Sequence, residues 1–138
     1  MFESLADPQE KFLYPVSFSV FDQVKSEMLE LDKNLIDYLP LYSKTSSDVA
    51  HHVFSSKAKR IRPAVFFLVS QMLKYNGEQL IPMAVVGEYV HTASILHDDV
   101  IDNSTLRRNK PSANSIWGDQ SSVLVGDLIY ARASELMA

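Results

Sequence analysis

Cysteine is absent from this 138-residue chain. No disulfide framework holds it, and no thiolate serves as nucleophile or metal ligand. Glycine is scarce, with four in all, and none stands in a glycine-rich phosphate loop of either common type. Long unbroken apolar runs are missing, so no segment reads as a transmembrane span. No charged-then-apolar secretory leader opens the chain. Sustained alternation of apolar and polar residues is absent, which argues against strands. A basic excess is lacking too: the formal net charge of −4 argues against a general nucleic-acid binder. An anionic ligand therefore needs local cations or a metal.

What is present is a hydrophobic fraction of 46%, which excludes general disorder. The length suits one domain over 1–138. Residues 1–16, interrupted by Pro8 and Pro15, read as a loosely ordered lead. Phe21, Val24, Met28, Leu31 and Leu35 follow 3-4 spacing and predict a helix from about Phe18 to Leu39, with Ser19 as cap. After a Ser/Thr-rich linker over 40–47, Ser47-Asp48 caps a short helix to about Ser56, with Val49, Val53 and Phe54 inward. A very apolar helix is expected from Ala64 to Tyr75, stopped by Gly77. A final helix is expected from Asp119 to Met137, its apolar surface formed by Val123, Leu124, Leu128, Ile129, Ala131 and Leu136. Asp127 and Arg132, embedded there, need internal partners. The expected class is all-α, with antiparallel helices joined by short loops.

Two stretches carry chemistry. From Pro82 the chain is apolar on nearly every side, as in an interior helix, yet it ends in Asp98, Asp99 and Asp102. Carboxylates are disfavoured at a helix C-terminus, and gathering several is costly without a cation. Asp98 and Asp102, four apart, share a face with His91, seven before Asp98. Asp99 points about 100° away. Hard oxygen ligands in this number suit Mg²⁺, which keeps waters and takes phosphate oxygens. Arg107, Arg108 and Lys110 follow in a loop, and arginine forks match phosphate oxygens. The other stretch, Lys57-Ala58-Lys59-Arg60-Ile61-Arg62-Pro63, brings four cations to the start of a helix. Pro63 suits a first helical turn, and a helix N-terminus favours anions. Solvated surface and intraloop ion pairs are the plainer account of either stretch alone; together they point to a diphosphate.

Lys59-Arg60-Ile61-Arg62-Pro63, then His91 through Asp102, then Arg107-Arg108 and Val125-Gly126-Asp127 resemble, in order and spacing, the trans-type polyprenyl diphosphate synthases, and within them the long-chain branch. The resemblance covers roughly residues 20 to 138. It implies an isoprenoid-synthase helical bundle, here in part, in which isopentenyl diphosphate is condensed with an allylic prenyl diphosphate using Mg²⁺. It implies metal ligation and catalysis by Asp98 and Asp102, with Asp99 in support. It gives Arg107 a catalytic contact to the allylic diphosphate. Lys59, Arg62, His91 and Arg108 are implied as isopentenyl diphosphate contacts. A cytoplasmic homodimer is the family expectation. Small Ala93 and Ser94, one turn before the acids, match the long-chain pattern.

Two departures from the family pattern stand out. Lys57-Ala58 replace the usual Gly-Gly, and no second aspartate-rich motif follows Asp102. The expectation is the N-terminal half of a synthase. A non-catalytic partner subunit is the alternative. A metal phosphohydrolase of the HD type, built on His97-Asp98 with His51 or His52 and Asp127, is a weaker one. A di-iron site on Glu88-x-x-His91 is weaker again.

Overall fold

The computed structural model describes residues 21–55 and 59–138. Six helices and one small hairpin make up the described part. In chain order these are α1 (Lys25–Asp37), α2 (Lys44–Phe54), α3 (Ile61–Met72), α4 (Leu80–Ile101), β1 (Leu106–Arg107), β2 (Lys110–Pro111), α5 (Ala113–Trp117) and α6 (Asp119–Met137). Helix α4 is the axis. Its most extensive partner is α6, and α1, α3 and α5 pack on it as well. Helix α2 bridges α6, α1 and α5. The all-α expectation holds. The lead over 1–16, the proposed Ser19 cap and Lys57-Ala58 lie outside the described residues.

The 3-4 spacing of α1 has the expected consequence. Val24, Leu31 and Leu35 are fully buried, and Phe21 and Met28 pack beside them. Tyr89 of α4 is fully buried against this helix, and its hydroxyl donates to the Leu35 carbonyl at 3.0 Å. Phe54, at the end of α2, meets the Tyr89 ring at 5.6 Å between centroids. The phenol is thus satisfied inside an apolar centre, and burial pushes its pKa well up.

Four boundaries or faces differ from expectation. Helix α2 starts at Lys44, because Ser43 caps it: Ser43 and Ser46 exchange side-chain-to-backbone hydrogen bonds in a capping box. Helix α3 ends before Lys74, which takes the left-handed position at φ 57 while Tyr75 N–H closes onto Ser70 O at 2.8 Å. Gly77 is not its stop. The buried face of α6 is Ser122, Val125, Gly126, Ile129 and Ala133, whereas Val123, Leu124 and Ala131 are exposed. Small residues win that face because α4 comes close: a Cβ on Gly126 would collide with the His97 ring. Finally, α4 is not covered all round. Gly87, Val90, Ser94, Asp98 and Ile101 form an exposed stripe, since its packed neighbours cover only part of its circumference.

No helix of the described residues is long and apolar enough to cross a membrane.

Candidate functional site

Helix α4 presents two different faces at its functional end. On one side Lys59, Arg62, His91 and Arg108 line a single cleft of about 380 Å³, with Arg60 and Glu88 in its wall. These four are the residues expected to meet isopentenyl diphosphate. They converge from the start of α3, the middle of α4 and the hairpin tip. A larger, adjoining cleft of about 430 Å³ extends from His91 and Arg108 under the hairpin toward Ile95, Leu96 and Ala113.

The hairpin explains how Arg108 gets there. Arg107 pairs with Lys110 across it, leaving Arg108 and Asn109 as its two-residue tip. Both have positive φ, 50 and 62. That is the tight hairpin geometry for which Asn is well suited and Arg is not. A non-glycine residue held there is a frequent mark of a functional site. The expected loop is thus a hairpin, whose two-residue strands leave no alternation in the sequence to detect.

Arg107 does not enter the cleft freely. Its Nε and Nη2 fork onto the Asp99 carboxylate at 2.9 and 2.7 Å, and Asp99 is buried. Asp99 thus orients Arg107 through this one ion pair. The hydrogen bonding of Arg107 onto Asp99 is also the main reason the Arg107 pKa is raised.

His91 is half-buried. Its pKa is lowered, first by burial and next by the Arg62 guanidinium nearby. The imidazole is thus neutral at pH 7, and it titrates upward when negative charge arrives.

Asp98 and Asp102 stand apart from both clefts. Both are exposed at the end of α4, where Asp102 is the C-cap and its N–H bonds Asp98 O at 2.8 Å. Neither carboxylate makes an ion pair among the described residues, in contrast to Asp99. No group of three or more His, Cys, Asp or Glu side chains placed to hold a metal occurs among the described residues. Two unengaged carboxylates on one helix face still fit Mg²⁺, whose other positions go to water and phosphate.

The histidines do not converge as an HD-type centre requires. His52 bonds Pro111 O at 2.9 Å and stacks edge-on to Trp117. His97 lies on the other side of α4, 3.2 Å from Val123 O and 3.4 Å from Asp127 Oδ1. Asp127 thus has a partner, and Arg132 has Tyr38 O and Glu135. Glu88, the proposed di-iron carboxylate, is held by Arg60 at 2.9 Å. Of the two small residues, Ala93 is buried in the core and only Ser94 lies on the exposed Asp98 stripe.

Two residues were missed as a pair. Glu88 is buried in an apolar helix, and Arg60 answers it. The available signal was a lone carboxylate inside the most apolar segment of the chain.

Fold and site define an isoprenoid-synthase helical bundle with a cationic cleft beside an aspartate-bearing helix end. The polyprenyl synthetase family pattern matches residues 43–138. The chain belongs to that family. It is similar to octaprenyl diphosphate synthase of Escherichia coli (strain K12), 36% identical over 111 residues, covering 80% of this chain and 34% of that protein. The octaprenyl diphosphate synthase of Haemophilus influenzae is 38% identical over 112 residues, covering 81% and 34%. Among solved structures, the polyprenyl synthase from Caulobacter crescentus CB15 complexed with calcium and isoprenyl diphosphate matches with a TM-score of 0.80 at 34% identity, covering 86% of this chain and 36% of that one. The decaprenyl diphosphate synthase from Rhodobacter capsulatus matches at 0.77 and 31% identity, covering 86% and 37%. The chain spans about a third of the length of these relatives.

Proposed function

We propose that the chain supplies the substrate-binding face of a prenyltransferase that extends an allylic prenyl diphosphate with isopentenyl diphosphate to a long-chain all-trans product. One observation carries this reading: Lys59, Arg62, His91 and Arg108 meet in one cleft, and Asp98 and Asp102 at the end of the same central helix make no ion pair among the described residues.

In this reading Lys59, Arg62 and Arg108 hold the diphosphate of isopentenyl diphosphate, and His91 adds a hydrogen bond. Asp98 and Asp102 hold Mg²⁺, which when bound neutralises the allylic diphosphate. Arg107, oriented by Asp99, directs its remaining N–H groups at the same anion. The allylic C–O bond breaks with its electron pair leaving on pyrophosphate. The double bond of the held isopentenyl group then attacks the allylic carbon, and loss of one proton restores a double bond. The protein's part is proximity and stabilisation of the departing anion. The growing chain runs back along the exposed stripe, past Ser94 and Val90. Ser94→Phe therefore shortens the product, whereas Ala93→Phe overpacks the core.

A cytoplasmic homodimer completes the reading. The exposed apolar side chains of α3, among them Val65, Val69 and Met72, supply a face that association covers.

The test titrates isopentenyl diphosphate into the chain by calorimetry, then measures incorporation of label onto farnesyl diphosphate with Mg²⁺ or EDTA. Saturable binding that Lys59→Ala/Arg62→Ala abolishes supports the site. Absence of binding, or binding indifferent to that double change, removes it. Binding without incorporation would leave the chain as a binding subunit.

A further inference from the structure

The wall of the cationic cleft contains a carboxylate, which is the wrong sign for a diphosphate. Glu88 is 4% exposed. It lies one turn before His91 on α4, and it borders both clefts. A bare carboxylate there would repel the ligand and would itself be costly to bury. Arg60 meets it at 2.9 Å through Nη1, with a side chain only 9% exposed.

Arg60 is tied down at three points. Besides Glu88, its Nε donates to Asp32 of α1 at 2.8 Å, and its Nη2 to Phe54 O at the end of α2 at 3.0 Å. Three elements that are remote in sequence thus share one guanidinium. Its backbone is in the left-handed region, φ 46 and ψ 39, at the N-cap of α3. An arginine in that conformation is strained, so the surrounding contacts must impose it. Its side chain turns inward, while Lys59 and Arg62 on either side line the cleft.

We propose that Arg60 is a positioning residue of the diphosphate cleft: it cancels the Glu88 charge in the cleft wall and pins the basic loop so that Lys59 and Arg62 meet the anion. The inference rests on the diphosphate reading above. Asp32, Glu88 and Phe54 O take three of the five Arg60 N–H donors, so its charge is spent mainly on the cleft wall. A purely structural role for the pair makes a different prediction. It would have any disruption weaken binding, whereas charge cancellation has removal of the Glu88 charge strengthen it.

The experiment titrates inorganic pyrophosphate into the chain by calorimetry, with folding followed by circular dichroism. Glu88→Gln keeps a hydrogen-bonding isostere against Arg60 and removes the charge. It should bind pyrophosphate about 5-fold more tightly, with the gain shrinking as salt is raised. Arg60→Met should weaken binding at least about 10-fold, and adding Glu88→Gln to it should recover most of that loss. If Arg60→Met does not fold, Glu88→Gln alone decides. Unchanged or weaker binding by Glu88→Gln, while the unmodified chain binds, overturns this inference and leaves the diphosphate reading standing. No binding by the unmodified chain overturns both.

Discussion

Four carboxylates on one helix divide into two kinds. Glu88 and Asp99 are buried and each is answered by an arginine, Arg60 and Arg107. Asp98 and Asp102 are exposed and have no cation among the described residues. The first pair belongs to the architecture, since a buried charge persists only when compensated. The second pair is open to compensation from outside, and the proposed Mg²⁺ site would supply it. Adjacent positions 98 and 99 thus differ in kind because the helix turns one toward the Arg107 loop and the other toward open space.

That contrast breaks most sharply in stability. Glu88→Ala leaves the buried Arg60 guanidinium with only the exposed Asp32 as counter-ion and should cost about 3 kcal/mol by denaturant unfolding. Asp98→Ala should leave the unfolding midpoint unchanged or slightly raised, because it removes a carboxylate from a helix C-terminus. Equal losses for the two would erase the distinction.

In binding the order reverses. Asp98→Ala should lower Mg²⁺-dependent pyrophosphate affinity at least about 10-fold by calorimetry, with metal-free binding to the cationic cleft unaffected. A loss that persists in EDTA would show that Asp98 acts without metal.

Much of this was legible before any coordinates. The 3.6-residue period marked the helices, and α6 was expected at its observed bounds. The Lys59, Arg62, His91 and Arg108 set was found from motif order, and the structure brings it together. The missed parts share a cause. The Ser43 cap, the Lys74 stop and the Arg108 turn each rest on one residue's backbone conformation, which periodicity does not register. The buried face of α6 was misassigned because apolar character was taken to mean burial. There, small size at Ser122, Gly126 and Ala133 mattered more.

A middle-sized effect tests that close approach. Gly126→Ala drives a methyl into His97 and should cost about 1–3 kcal/mol, leaving isopentenyl diphosphate binding little changed because His97 lies away from the cationic cleft. A neutral outcome would mean α4 and α6 can separate.

The smallest expected effect is a pH dependence at His91. Its folded pKa lies below the ordinary 6.5 that the unfolded chain keeps. Between those two values the unfolded state binds more protons. Stability therefore falls as pH drops through 6.5 toward the folded value, and it is fully retained above 6.5. Denaturation at about pH 7.5 and about pH 5.5 should show a smaller drop for His91→Asn than for the unmodified chain. Pyrophosphate binding should raise the imidazole pKa, read by NMR titration. An unmoved pKa would place the anion away from His91.

The sequence alone determined the helical class, the family likeness and the residue types suited to a diphosphate, because period and motif spacing are local properties of the chain. Tertiary structure decided which charges are spent internally and which remain for a ligand. Asp98 and Asp99 are chemically identical neighbours, and Arg60 and Arg62 nearly so. Only the packing of α1, α2, the hairpin and α4 gives one of each pair an ion-pair partner and turns the other outward.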